Sequence, residues 1–246
     1  RRFLVEGPQG VREAVRHAPG RVLDVYLTEA ALERHSEIWD EAVAAGLYVH
    51  VTTQQVMDAM SPDAQGLLAV VATEEVTGSE ALAAALEGAR LVAVLTQAQD
   101  PGNAGTIIRA ADAAGADAVV LVRGSVDPTA PKVVRSTAGS LFHLPVVTGV
   151  ALDDAVTALH NAGLTVLAAD GRGDFDLFEA ESLLEAPSAW LLGNEAHGLP
   201  PEALSRADAV ASIPIYGKAE SLNVAAAAAV CLYASARAQA QHPGRS

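Results

Sequence analysis

Cysteine is nearly absent from this chain of 246 residues: Cys231 is the single one, so no internal disulfide can form and the fold must be held by its core. A reducing compartment, the cytoplasm, is the expectation. Aromatic residues make up only 4% of the chain, which excludes a large role for aromatic stacking in whatever it recognises. No apolar run is long enough to span a membrane; the longest charge-free candidate, Ser221 to Ala236, is short and alanine-rich and opens with polar Ser221 and Asn223, as a core helix would. Positive charge is scarce too. Sixteen Lys and Arg against thirty Asp and Glu leave a net charge of −14, which argues against a uniformly basic nucleic-acid-binding surface. The sequence starts Arg1-Arg2-Phe3 without an initiator methionine, so some preceding sequence is expected to be missing.

What is present is apolar: 50% hydrophobic and 19% charged residues suffice for a real core and one or two domains. The first part alternates β-rich runs and helical patterns: Phe3 to Glu6, Gln9 to His17, Val22 to Leu27, Ala30 to Ala45, Tyr48 to Val51 and Gly66 to Ala72. This predicts a small α/β domain over residues 1–76, a linker over 77–89 containing a short helix from Ser79, and a second domain over 90–246. In the second domain the runs Leu91 to Leu95, Ala118 to Val122, Thr165 to Ala169 and Ala189 to Leu192 are almost wholly apolar, which predicts a mostly parallel sheet covered on both faces. Helices are predicted from Ala104 to Ala114, Pro131 to Leu141, Asp153 to Ala162, Pro201 to Arg206 and Ser221 to about Gln239. Residues 1–90 carry seven basic and fourteen acidic groups and residues 91–246 nine and sixteen, so each half is net −7. Local basic clusters remain, one containing Arg12 and Arg16 and another Arg135, and phosphate contacts need only a few placed cations.

Three segments of the second part run from a strand end through a loop of Gly, Asn and small residues into a helix, and ligands bind at such carboxyl ends in parallel sheets. The first is Asn103-x-Gly105-x-x-x-Arg109, where Asn103 can cap the helix and Gly105 permits close backbone approach. The second is Leu192-Gly193-Asn194-Glu195 with Gly198-Leu199, and the third Ile213-Pro214 followed by Ser221-Leu222-Asn223-Val224. Singly, Asn103 and Ser221 read as ordinary N-caps, Glu195 as a loop carboxylate and Arg109 as a solvated helix arginine. Their order and flanks together resemble the signature motifs of the SpoU, or TrmH-type, branch of the SPOUT RNA methyltransferases. Arg135-Ser136-Thr137-Ala138-Gly139-Ser140 is similar to another recurrent stretch of that family, and Phe3-Leu4-Val5-Glu6-Gly7 to the small substrate-binding domain upstream in many members.

The resemblance implies an α/β fold with a trefoil-knotted C-terminal methyltransferase domain, a small N-terminal α/β substrate-binding domain and an obligate homodimer. It implies S-adenosylmethionine as cofactor, held near Gly193, Ile213 and Leu222, and methyl transfer to a ribose 2′-hydroxyl of RNA. Catalytic candidates by motif position are Arg109, Asn103, Glu195, Ser221 and Asn223; Arg135, Arg12 and Arg16 are the candidates for RNA phosphate. The N-terminal domain makes ribosomal RNA, 23S in particular, a better expectation than transfer RNA. The seven histidines contain no HExxH pair, and with one cysteine no metal is predicted. Three alternatives stand beside this reading: a base-methylating relative, a catalytically silent RNA-binding module, and an unknotted doubly wound methyltransferase. The last would use the glycine loop at Val166 to Gly173, which lacks the third spaced glycine.

Overall fold

A computed structural model of the protein describes residues 1–194 and 197–241. In chain order, β1 (Arg2–Glu6), α1 (Pro8–His17), β2 (Val22–Thr28), α2 (Glu29–Arg34), α3 (Ser36–Ala44), β3 (Tyr48–Thr52), α4 (Gln54–Met60) and β4 (Leu67–Ala72) build a first unit. There follow α5 (Gly78–Ala85), β5 (Leu91–Leu95), α6 (Pro101–Ala113) and β6 (Ala118–Leu121) of a second unit. The chain then contributes α7 (Pro131–Thr137) and a 3₁₀ turn at Ser140–Phe142 to the first unit. It completes the second with β7 (Val146–Val147), α8 (Leu152–Asn161), β8 (Thr165–Ala169), β9 (Phe175–Asp176), α9 (Glu181–Leu184), β10 (Ser188–Leu192), α10 (Pro201–Arg206), β11 (Ala209–Ser212) and α11 (Val224–Gln241).

The first unit carries a mixed sheet in the order β1-β4-β2-β3, with only β2 and β3 parallel. Helix α1 starts at Pro8, whose fixed φ suits a first helical turn, and buries Val11, Ala14 and Val15 against that sheet. Residues 127–143, expected in the second domain, belong to the first unit. The reason is apolar: Val134 is buried in the core of Phe3, Val5 and Val15, and Leu141 and Phe142 pack against it. Residues 77–89 are likewise no bare linker, since α5 and the turn after it send Leu82, Leu86 and Ala89 into the core of the second unit. The single helix expected over Ala30 to Ala45 is two helices broken at His35, and α4 was not anticipated.

The second unit is built on a sheet in the order β7-β6-β5-β10-β8-β11-β9, parallel at every pairing among the described residues. Strands β5, β6 and β10 are buried at every position, which is why their sequences, apart from Ser188 at the start of β10, are apolar runs rather than alternating ones. Leu95 stands opposite Leu192, so β5 and β10 end in register and their loops emerge side by side. Helix α11 covers β10 with small residues, and its one buried hydroxyl is satisfied: the indole Nε1 of Trp190 donates to Ser235 Oγ at 2.9 Å. No described helix is long and apolar enough to cross a membrane.

Cys231 lies wholly buried in α11, and burial pushes its thiol up to about 12, because an apolar surround disfavours the thiolate. Thiol reagents are therefore expected to leave the native protein unmodified at neutral pH and to label it stoichiometrically in denaturant. A native thiol that reacts as fast as a free cysteine would contradict this placement.

Candidate active site

The site is assembled where β5, β8, β10 and β11 end. Thr96, the first residue past β5, donates from its backbone N and its Oγ1 to the carbonyl of Leu192 at 2.9 and 3.0 Å, joining the loop after β5 to the end of β10. The Nδ2 of Asn194 donates to the carbonyl of Gln97 at 3.0 Å, a second tie. Gln97 itself has φ 55, in the left-handed region that costs a non-glycine residue energy, so these bonds hold a strained loop.

The structure changes two assignments of helix caps. Asp100, not Asn103, caps α6, its Oδ1 accepting from the backbone N of Asn103 at 2.7 Å, with Pro101 next in the first turn. Asn103 instead sits inside the first turn and its side-chain Oδ1 accepts from Asn223 Nδ2 at 3.1 Å. Asn223, not Ser221, caps α11: its Oδ1 accepts from the backbone N of Ala225 and of Ala226 at 2.9 and 3.3 Å. The two predicted asparagines are thus brought together across 120 residues of chain, fastening the openings of α6 and α11 to each other. An alanine at either position breaks this pair. Asn223→Ala also leaves the first N–H groups of α11 without their acceptor, for about 1 kcal/mol of stability. The expected result is a Tm lower by roughly 2–4 °C, measured by thermal denaturation.

Beside this pair lies a cavity of about 280 Å³. Gly193, Ile213, Leu222 and Ser221 all line it, and Ala169, Ala211 and Ala227 add apolar wall. Its shape depends on Gly193: a Cβ there would fall 2.4 Å from the backbone carbon of Gly198 and 2.6 Å from the backbone N of Leu199. Asn194 and Gly198 exchange backbone hydrogen bonds at 3.0 and 2.9 Å, so the loop folds back onto Gly193 and leaves no room for a side chain. Glu195 lies outside the described residues.

Sequence reasoning missed Asp170 and Gly171, which also line the cavity. They belong to the glycine loop after β8, whose sequence by itself points to an unknotted methyltransferase fold. The usable signal was that β8 is one more apolar strand whose carboxyl end must open on the same edge of a parallel sheet. The guanidinium of Arg172 donates to Asp170 Oδ1 at 3.1 Å and to Oδ2 at 3.4 Å, which holds the Asp170 carboxyl below the usual carboxylate range, against the cost of its burial. Because the folded value is depressed, the carboxylate stays charged through neutral pH; the stability it contributes is lost only as pH falls through that lowered value.

Arg109 is exposed and makes no hydrogen bond or ion pair among the described residues. Six residues past Asn103 on α6, it stands roughly 9 Å further along the helix axis and about 240° around it, so Asn103 and Arg109 do not share a face. It is not among the residues lining the cavity. The three arginines expected to meet RNA phosphate are each paired to a carboxylate in the first unit. Arg12 reaches Glu37 at 2.9 Å, Arg16 grips Glu41 through two bonds of 2.7 and 2.6 Å, and Arg135 bridges Glu6 at 2.5 Å and Asp63 at 3.1 Å. The pairs of Arg12 and Arg16 are solvent-accessible and worth little, so phosphate can compete for them, whereas Arg135 holds the buried carboxylate of Glu6; none of the three is an uncommitted cation.

The sequence matches two family models. Residues 90–233 match the SpoU rRNA Methylase family and residues 4–77 the RNA 2′-O ribose methyltransferase substrate binding domain. Among curated proteins, the chain is 35% identical to the 23S rRNA (guanosine(2553)-2′-O)-methyltransferase RlmP of Bacillus subtilis, over 94% of this chain and 87% of that one. It is 34% identical to the 23S rRNA (uridine(2479)-2′-O)-methyltransferase of Streptomyces viridochromogenes, over 96% and 82% respectively. Among solved structures, the SpoU methyltransferase AviRb of Streptomyces viridochromogenes in complex with AdoMet superposes with a TM-score of 0.81 at 29% identity, covering 98% of this chain and 91% of that one.

Proposed function

Because this chain belongs to the SpoU rRNA methylase family, we propose that it is an S-adenosylmethionine-dependent methyltransferase acting on a ribose 2′-hydroxyl of 23S ribosomal RNA. The observation that carries this reading is the cavity at the ends of β8, β10 and β11, built from Gly193, Ile213 and Leu222 and bordered by the Asn103–Asn223 pair.

The lining suits the cofactor. Ile213, Leu222, Ala211 and Ala227 make an apolar slot for a flat base, and bare backbone at Gly193 allows main-chain contact with it. The carboxylates of Asp170 and Glu220 on the wall suit a ligand that carries positive charge and sugar hydroxyls. Bound there, S-adenosylmethionine supplies a methyl group made electrophilic by its sulfonium.

The chain's own task is then to hold the ribose oxygen in line with that methyl and to help it shed a proton. Arg109 is assigned the charge: its guanidinium grips the adjacent phosphate and stabilises negative charge developing on the 2′-oxygen. Asn103 and Asn223 position the opening turns of α6 and α11 around the RNA, Ser221 offers a hydroxyl at the cavity mouth, and Glu195 organises its loop. Arg12 and Arg16 contribute phosphate contacts by exchanging carboxylate partners for RNA, and Arg135 contributes one while keeping its bond to Glu6.

Arg109 lies outside the cavity wall of its own chain, and this supports a homodimer in which the second copy's α6 brings that side chain to the reacting ribose. The convergence of three loops on one cavity supports the trefoil threading that the motifs imply. Residues 1–76 are assigned to substrate recognition, and a ribosomal RNA substrate supports a cytoplasmic location. The test is tritiated methyl transfer into separated 16S, 23S and transfer RNAs lacking modification. Label confined to 23S RNA is the expected result; label confined to transfer RNA would replace the substrate, and no label with cofactor bound would remove the activity.

A further inference from the structure

One cluster of metal-ligating side chains in the first unit is assembled by folding rather than by spacing. Glu13 and His17 stand at i and i+4 on α1 and so share one face of the helix. His143 joins them from the end of the Asp127–His143 segment, 130 residues away in sequence from Glu13. Glu13 Oε2 lies 2.8 Å from His143 Nε2 and 3.2 Å from His17 Nε2, and one ligand atom from each residue can be chosen so that all three lie within 4.8 Å of one another. The two imidazoles meet edge to face, centroids 4.5 Å apart, each with its Nε2 beside the Glu13 carboxylate.

Zinc bonds of about 2.0–2.2 Å in a tetrahedron put neighbouring ligand atoms about 3.3 Å apart. The two separations from Glu13 lie just below that value and the third donor pair is within 4.8 Å, so an ion at their centre would need only small side-chain rotations. The backbone supports the arrangement. Gly139 has φ 98, and a Cβ there would fall 2.4 Å from Glu13 Cγ, so the segment passes Glu13 with bare backbone and lets its carboxylate reach His143. Arg12 and Arg16, the cations flanking Glu13 on α1, are committed to Glu37 and Glu41. His17 is 48% exposed, which leaves room for a water as fourth ligand and a way in for the ion.

We propose that Glu13, His17 and His143 form a binding site for a divalent transition metal, with Zn²⁺ the fitting ion, and that the ion staples the Asp127–His143 segment to α1. Two imidazoles and one carboxylate are a donor set for Zn²⁺ and its neighbours in the first transition row, and not for Mg²⁺ or Ca²⁺, which require oxygen ligands. This revises the expectation of no metal, which rested on linear spacing alone.

The test is Zn²⁺ titration of the untagged full chain by calorimetry, alongside thermal denaturation with and without the ion. One Zn²⁺ per chain is expected, with a Tm raised by the ion and no competition from excess Mg²⁺. His17→Ala and His143→Ala should each weaken binding by at least the ~10-fold that loss of even an outer partner costs, and should abolish the rise in Tm. His17 is half-exposed at the end of α1, so His17→Ala leaves the fold intact, as circular dichroism can verify. Failure of the wild-type chain to take up Zn²⁺, or uptake that neither variant weakens, would overturn the proposal.

Discussion

Arg109→Ala is expected to lower kcat for methyl transfer by about 10²–10³-fold, the usual cost of removing one group that stabilises charge in a transition state. The affinity for S-adenosylmethionine should stay within a factor of about two, because Arg109 is absent from the cavity wall. Stability should be unchanged as well, since the side chain is exposed and makes no polar contact among the described residues. Arg109→Lys separates the two parts of the role: it keeps the charge but loses the planar fork that grips phosphate, so it should recover only part of the rate. Mixing an Arg109→Ala chain with a chain disabled in its cavity would examine the dimer directly. If the second copy supplies the arginine, the mixture regains activity that neither variant has alone. A loss in cofactor affinity equal to the loss in rate would instead make Arg109 a cofactor ligand and sink its assignment to RNA.

Gly193→Ala has the opposite profile. The added methyl meets the backbone of Gly198 and Leu199 at 2.4 and 2.6 Å, atoms that cannot swing aside as the end of a side chain can. The loop after β10 must therefore open, which breaks the Asn194–Gly198 hydrogen bonds and displaces the wall next to Ile213 and Leu222. Overpacking of this kind costs about 1–3 kcal/mol. The fold absorbs part of that, and the remainder should appear as an affinity for S-adenosylmethionine weaker by about two- to tenfold. Equilibrium binding of the cofactor with a melting curve beside it separates the two contributions. Unaltered affinity in a folded Gly193→Ala protein would show that the cofactor does not depend on this loop.

Much of the second unit was readable because parallel strands buried on both faces cannot hide their composition. Leu91–Leu95 and Thr165–Ala169 are found at the expected limits with α6 and α8 between them, whereas the helix expected over Pro131 to Leu141 ends at Thr137 and joins the first unit. The short edge strands β7 and β9, of two residues each, were not readable, because two residues carry no period. Strand β11 escaped for a related reason: Ala209-Val210-Ala211-Ser212 is brief, small and only partly buried.

The fate of residues 127–143 was hidden for another reason. Val134, Leu141 and Phe142 are apolar enough for either core, and only the tertiary fold decides which one they join. The same holds for the ion pairs that occupy Arg12, Arg16 and Arg135, and for the meeting of His143 with Glu13, contacts made between segments remote in sequence. In the site, the glycines and asparagines were identifiable by type, whereas their duties were not. Whether Asn103 caps α6 or reaches Asn223 depends on Asp100 standing three residues earlier and taking the cap.

The measurement that tests the account most directly is the chemical position of the transferred methyl group. After incubation with tritiated S-adenosylmethionine, 23S RNA lacking the modification is digested to nucleosides and the labelled species identified. A single 2′-O-methylated nucleoside is expected, at a site where the RNA chain has become resistant to alkali, with its labelling slowed by about 10²–10³-fold for the Arg109→Ala protein. Label on a base, or label on ribose that survives Arg109→Ala undiminished, would contradict it.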